Sequence, residues 1–239
     1  MLYPPTADKA RISEIFSSLQ GEGIRMGEKH IFVRFEECHI HCKYCDELGK
    51  AGTDWDSQSV LSEIEKLEAA HGPHAFVSFT GGEPLLYTPF LIPLMSRLKE
   101  KGFSIYLETD GLLTKALSCV IGFCDCIAMD FKPSSVTGEK SFEDEHRTFL
   151  RAARESGRQT FIKVVVSKEL DLGEFQRLVK VAAEEFSEAP FILQPLSGEI
   201  EGHEDPELMA LLMHLQKDTR KHLSDVRILP RMHKILGLR

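Results

Sequence analysis

Three cysteines fall within eight residues, Cys38-His-Ile-His-Cys42-Lys-Tyr-Cys45, in the spacing C-x3-C-x2-C. Thiolates on so short a loop can reach three corners of one cubane iron–sulfur cluster. Three is the informative count, because a fourth thiolate would saturate the cluster, whereas three leave one iron open for a substrate or cofactor. Zinc is a second reading, with His39 or His41 as fourth ligand of a Cys3His site. A redox CxxC pair with a bystander cysteine is a third. Zinc sites of this type usually carry a second ligand pair beyond a longer spacer, and the sequence offers none.

Other polar signatures follow at intervals. Thr80-Gly81-Gly82-Glu83-Pro84 joins two glycines, which let a backbone approach a ligand closely, to an acceptor suited to a cationic amino group. Glu108-Thr-Asp-Gly111, Asp130-Phe-Lys132 and Gln194 are further candidates for contacts to a cofactor. A second cysteine group, Cys119, Cys124 and Cys126, stands among Leu117, Val120, Ile121, Ile127 and Ala128 and reads as small core filler.

The elements that must position these groups alternate. Strands are expected over Ile31–Phe35, Ala75–Phe79, Ser104–Glu108, Cys126–Asp130, Phe161–Val166 and Phe191–Gln194. Helices are expected over Ser59–Ala70, Pro89–Lys101, Leu113–Gly122, Phe142–Ser156, Gly173–Phe186 and Pro206–Leu223, with Gly102 and Gly157 at helix stops. Strands alternating with helices imply βαβ units and a parallel sheet. Six strands are too few for a closed eight-stranded barrel, so the expected fold is α/β, an open, partial parallel β/α barrel. In such sheets chemistry collects at the carboxyl ends of the strands. The polar signatures sit there, one strand after another.

The 239 residues, 42% of them hydrophobic, suffice for one core, and without repeats or a low-complexity linker a single domain over 1–239 is expected. A net charge of −8 argues against a nucleic-acid-binding face. No run is long enough for a membrane span and the first residues do not resemble a signal peptide, so a cytoplasmic protein is expected. Clustered cysteines fit a reducing compartment.

The cysteine spacing, followed by Gly-Gly-Glu-Pro, resembles the radical S-adenosylmethionine (radical SAM) superfamily. Glu14-Ile-Phe-Ser-Ser-Leu-Gln-Gly-Glu-Gly23, Gly27, Ile31–Phe35, Cys45-Asp46, Leu193-Gln-Pro and the terminal Pro230-x-Met-His-Lys234 with Gly237 and Arg239 resemble the 7-carboxy-7-deazaguanine synthase family within it. The resemblance implies a radical SAM lyase with a 4Fe–4S cluster on Cys38, Cys42 and Cys45, S-adenosylmethionine chelated at the open iron, and Mg2+. Electron transfer into the sulfonium yields methionine and a 5′-deoxyadenosyl radical. That radical takes hydrogen from C6 of 6-carboxy-5,6,7,8-tetrahydropterin, which contracts to 7-carboxy-7-deazaguanine with loss of ammonia, in queuosine biosynthesis, a tRNA modification pathway. No protein residue beyond cluster and cofactor is expected to be catalytic.

The resemblance further implies Tyr44, Asp46, Gly81, Gly82, Glu83, Glu108, Asp130, Lys132 and Gln194 for S-adenosylmethionine. For the substrate it implies Leu19, Gln20, Gly21, Glu22, Arg34, Thr80 and His233, with Arg34 able to hold a carboxylate through a bidentate pair. It also implies an external flavodoxin- or ferredoxin-like electron donor and a homodimer. Departures are Glu47 where threonine is usual at the Mg2+ site, an oxygen ligand still but a charged one; Glu37 and His39 beside Cys38; Asp130-Phe131 before the lysine; and Arg231 for a glutamine. The rivals are an activase generating a glycyl radical on a partner protein and, from another class, a non-catalytic zinc-binding module.

Overall fold

The computed structural model describes residues 9–47, 49–196 and 205–238. Arg239 of the terminal pattern lies outside them. The described strands form one nine-stranded sheet: β1 (Lys9–Leu19), β2 (Lys29–Phe35), β3 (Thr53–Asp56), β4 (Phe76–Gly81), β5 (Ile105–Thr109), β6 (Cys126–Phe131), β7 (Gln159–Val166), β8 (Phe191–Pro195) and β9 (Val226–Ile228). Their order is β3-β1-β2-β4-β5-β6-β7-β8-β9, and the edge strands β3 and β9 do not pair, so the barrel is open. The six expected strands are all present and all parallel.

Three strands were not anticipated. β1 and β3 add an antiparallel edge, and β9 adds a short parallel one. β1 carries Arg11, Ser13, Glu14, Ser17 and Ser18 among its apolar residues, so the apolar alternation that marks a half-buried strand is weak in it. β3 and β9 are four and three residues long, too short for any periodic signal.

The helices are α1 (Ser57–His71), α2 (Thr88–Glu100), α3 (Thr114–Val120), α4 (Ser134–Thr137), α5 (Glu143–Glu155), α6 (Leu172–Phe186), α7 (Pro206–Thr219) and α8 (Met232–Ile235). Asp56, Asp171 and Asp205 cap α1, α6 and α7 by accepting from Ser59, Glu174 and Leu208 N–H groups. Gly102 and Gly157 follow α2 and α5 in the left-handed conformation (φ +85° and +68°), as a helix stop requires.

Alternation along the strands sorts the two faces. Ile31, Val33, Val77, Phe79, Leu107, Ile127, Met129, Val164 and Leu193 join the helices in the main core. On the opposite, inward face the first rungs are apolar: Phe76, Tyr106, Cys126, Ala128, Phe161 and Ile192 close the amino end of the barrel. The next rungs on that face are Arg34, Thr80, Glu108, Asp130, Lys163 and Gln194, and these line a cavity. A single β-face therefore changes from an apolar plug to a polar floor over one or two residues per strand.

Candidate active site

The cavity at the carboxyl ends of the strands encloses about 190 Å³. Of the expected site residues, Leu19, Gln20, Gly21, Glu22, Arg34, Cys42, Tyr44, Cys45, Asp46, Glu47, Thr80, Gly81, Glu108, Asp130, Lys132, Gln194 and His233 line it. Cys38, Gly82 and Glu83 are not part of its lining.

The cysteine loop leaves β2 and is held in place by neighbouring segments. Lys43 N–H donates to Thr137 O in α4 at 2.8 Å, and His41 N–H donates to Glu139 at 2.7 Å. His39 Nε2 lies 2.6 Å from Asp110 Oδ2. That hydrogen bond raises the His39 pKa against the opposing effect of partial burial. The three cysteines pack with Ile40, Phe142, Tyr44 and Leu112 in a small apolar patch. Burial pushes the Cys38 thiol up to about 12 and raises Cys42 as well. Iron would reverse this, since a thiolate is the ligating form. Among the described residues no three His, Cys, Asp or Glu side chains converge as around a single metal ion.

The Gly-Gly-Glu-Pro segment also packs closely against the protein's own backbone. A Cβ on Gly81 would stand 2.3 Å from Phe35 O, and one on Gly82 only 1.9 Å from Glu37 O. The close approach these glycines permit is thus to the root of the cysteine loop. Gly82 N–H and Glu83 N–H donate there, to Phe35 O and Glu37 O at 2.8 and 2.7 Å. Glu83 is fully buried, and its carboxylate accepts from Leu85 N–H, Thr109 Oγ1 and Asp110 N–H at 2.8–3.0 Å. Burial and the nearby Asp110 push its carboxyl up, while those donors pull it back. Glu83 joins the ends of β4 and β5 rather than facing the cavity.

The cavity floor is a network of half-buried charges. Gln20 Nε2 donates to Glu108 Oε1 at 2.9 Å, and Thr80 Oγ1 donates to Glu108 Oε2 at 2.7 Å. Burial, then the charge of Glu22, raises the Glu108 carboxyl. Lys163, unanticipated, ion-pairs with Glu22 and lies 3.2 Å from Asp130 Oδ1, whose other oxygen takes Lys132 at 2.8 Å. Burial opposes the Lys163 ammonium, yet Asp130, Glu22 and Glu108 hold its pKa above that of a free lysine. Burial likewise opposes the Glu22 carboxylate, but Lys163 and Arg231 bring it down to about 2.

The chain's end closes one side. Arg231 Nη2 reaches Asp46 at 2.6 Å and Arg231 Nε reaches Glu22 at 3.0 Å, while Lys234 joins Asp46 at 3.2 Å. Met232 N–H donates to Gly21 O at 2.9 Å. Phe16, Phe32, Val165, Pro195, Leu196, Lys163 and Arg231 complete the lining and were not anticipated as such. A signal existed for Lys163, which is the one polar residue in the run from Phe161 to Val166.

In the second cysteine group, Cys124 and Cys126 are fully buried as expected, but Cys119 is exposed on α3, its thiol turned to Lys115 O. A seven-residue helix has room for few inward positions, and Leu117 and Val120 take them.

Tyr44 Oη, Glu47 Oε2 and Gln194 Oε1, buried side-chain atoms of cavity residues, have no hydrogen-bond partner among the described residues. Unpartnered polar atoms around one polar cavity are what a site for a polar cofactor and substrate requires.

A family model for the radical SAM superfamily matches residues 32–130, from β2 to the end of β6. A 7-carboxy-7-deazaguanine synthase from Geobacter sulfurreducens is 34% identical over 95% of this chain and 97% of its own length. The chain belongs to the 7-carboxy-7-deazaguanine synthase family. The family member from Methanothermobacter thermautotrophicus is 30% identical over 97% of this chain and 98% of that one. Among solved structures, QueE from Escherichia coli superposes with a TM-score of 0.65 at 21% identity, covering 94% of this chain and 95% of that one. Streptococcus suis SuiB bound to S-adenosylmethionine gives a TM-score of 0.58 at 14% identity over 81% of this chain and 45% of its own. As a radical SAM enzyme of this family, the chain takes a 4Fe–4S cluster and S-adenosylmethionine as cofactors, and the three-cysteine loop beside a polar cavity with unpartnered donors and acceptors fits both.

Proposed function

We propose that the chain is a radical SAM lyase that converts 6-carboxy-5,6,7,8-tetrahydropterin to 7-carboxy-7-deazaguanine with release of ammonia. The observation that carries this reading is the meeting of two segments in one cavity: the cysteine loop, and the end of β1 at Leu19 with the Gln20–Glu22 loop that follows it. The first belongs to any radical SAM enzyme. The second is the segment by which the family differs from a glycyl-radical activase, and family membership sets the zinc module aside.

Cys38, Cys42 and Cys45 would hold the cluster, with Tyr44, Asp46, Gly81, Glu108, Asp130, Lys132 and Gln194 around S-adenosylmethionine. Gly82 and Glu83 would act behind them by fixing the loop. Together the bound groups supply the one-electron reduction and hydrogen abstraction that begin the reaction. The protein's own part is to bind and orient. Gln20 and Glu108, already linked, offer donors and acceptors to the flat pterin edge. Arg34 offers a bidentate fork to the substrate carboxylate. Gly21, Thr80 and His233 line the same wall, and Lys163 sets the charge of Glu22. Glu47, with one unpartnered oxygen, would ligate Mg2+.

One sheet and one main core support a single domain. Six free cysteines and an oxygen-sensitive cofactor favour a cytoplasmic setting, and no described helix is long and apolar enough to cross a membrane. A flavodoxin- or ferredoxin-like donor and a homodimer are the arrangement the resemblance favours.

The test is anaerobic turnover with reduced enzyme, S-adenosylmethionine, Mg2+ and carboxytetrahydropterin, read as 7-carboxy-7-deazaguanine by mass spectrometry. Slow deoxyadenosine formation without the deazaguanine would remove the substrate assignment.

A further inference from the structure

Arg34 and Glu47, proposed above for two different ligands, hold each other. Arg34 Nη1 stands 2.8 Å from Glu47 Oε1 and 3.1 Å from Glu14 Oε2, its cross-strand neighbour on β1. Lys50 Nζ adds a second cation to the same Glu47 oxygen at 2.9 Å. Glu47 Oε2 is buried without a hydrogen-bond partner, and both Arg34 and Glu47 line the cavity.

We propose that a divalent cation and Arg34 compete for the Glu47 carboxylate, so that seating the cation hands Arg34 over to the carboxylate of the substrate. This rests on the reading of Glu47 as the cation's ligand. The physical argument is one of charge. A hard divalent ion on Oε2 sits within a few ångströms of whatever cation occupies Oε1, in a partly buried site where like charges repel more strongly than in water. The guanidinium yields because it has alternatives. Glu14 keeps it tethered to the β1–β2 edge, and a substrate carboxylate can take both arms of the fork in place of the single contact that Glu47 receives.

The order of events follows. Without the cation, Arg34 is engaged and substrate binds weakly; with it, the fork is released. Cation and substrate therefore favour each other's binding, beyond any direct contact between them, because coupling between two ligands is reciprocal.

The experiment uses anaerobic, cluster-loaded protein with the cluster oxidised and diamagnetic. Mn2+ stands in for Mg2+ and is titrated by the electron paramagnetic resonance signal of free Mn2+. Arg34→Gln should bind Mn2+ about fivefold or more tightly than wild type, the lower end of typical site-to-site couplings. Lys50→Gln, a change at an exposed lysine, should tighten binding about twofold. Glu47→Gln should lose the site. Arg34→Gln binding Mn2+ no more tightly than wild type, with Glu47→Gln inactive in binding, overturns the competition and leaves Glu47 as a ligand. If Arg34→Gln fails to take up the cluster, Lys50→Gln decides: unchanged Mn2+ affinity overturns the proposal. Unchanged Mn2+ affinity in Glu47→Gln removes the ligand assignment and the proposal with it.

Discussion

The imidazole of His233 occupies the space where a side chain on Gly21 would be: a Cβ built there would stand 1.9 Å from His233 Nδ1. A glycine in the loop after β1 thus lets the chain's end lie against the cavity, with Met232 N–H bonded to Gly21 O beside it.

Gly21→Ala should push that end away. His233 and Arg231 would both move, loosening contacts on one side of the substrate site. We expect KM for the pterin to rise about tenfold or more, a loss of roughly 1.4 kcal/mol of binding, with the visible absorbance of the cluster unchanged. Limited proteolysis should release the terminal segment faster than in wild type. A variant with wild-type KM and protease resistance would show that the contact is incidental.

Lys163 is the cation between Glu22 and Asp130 in the cavity floor. Lys163→Met removes it and leaves two half-buried carboxylates, Glu22 with Arg231 and Asp130 with Lys132, without their shared cation. Breaking a fully buried ion pair from one side costs about 3–5 kcal/mol; with Arg231 and Lys132 still in place the loss here should be smaller, and the urea midpoint should fall. Adding Glu22→Gln to Lys163→Met should restore part of that loss, because it removes one of the two carboxylates that Lys163 had separated. No recovery in the double variant would mean that Lys163 acts through packing.

Acid stability carries the signature of Glu22. Its carboxyl titrates at about 2 in the folded chain against an ordinary 4.5. Its ion pairs therefore stabilise the fold fully above pH 4.5, and that contribution is lost as the pH falls from 4.5 towards 2, where the unfolded chain takes up the proton first. Glu108, raised by burial and by Glu22, contributes in the opposite sense, its share being lost as the pH rises. Thermal unfolding from pH 2 to 7 should show a smaller acid-side decline in Glu22→Gln than in wild type. Parallel curves would indicate that Glu22 titrates normally.

The two cysteine groups should separate cleanly in iron content. Cys38→Ala, Cys42→Ala and Cys45→Ala should each lose the brown chromophore and deoxyadenosine formation. Cys119→Ser should change neither, since that thiol is exposed on α3. Cys126→Ala should keep the cluster while unfolding at lower urea, because its fully buried side chain belongs to the apolar plug with Tyr106 and Phe161. Retention of the cluster in Cys42→Ala would overturn the assignment of the loop.

How much the sequence determined depends on how local each feature is. The C-x3-C-x2-C loop was legible because its three ligands lie within eight residues, and one loop suffices to bring them together. The six parallel strands were legible because each carries its own apolar run, and the polar ends of those strands marked the active rim. Cross-chain pairings were not. Lys163 meets Glu22 across 141 residues, and Arg231 meets Asp46 across 185. Neither partner's surroundings in sequence announce the other, because sheet register and the path of the chain's end decide which side chains face each other. The same holds for Glu83, whose oxygens accept from Thr109 Oγ1 at the end of the neighbouring strand and from Asp110 N–H just beyond it. Short-range spacing fixes which ligands a loop can present, whereas a buried charge is placed by long-range packing, and only the folded sheet shows which partner offsets the cost of its burial.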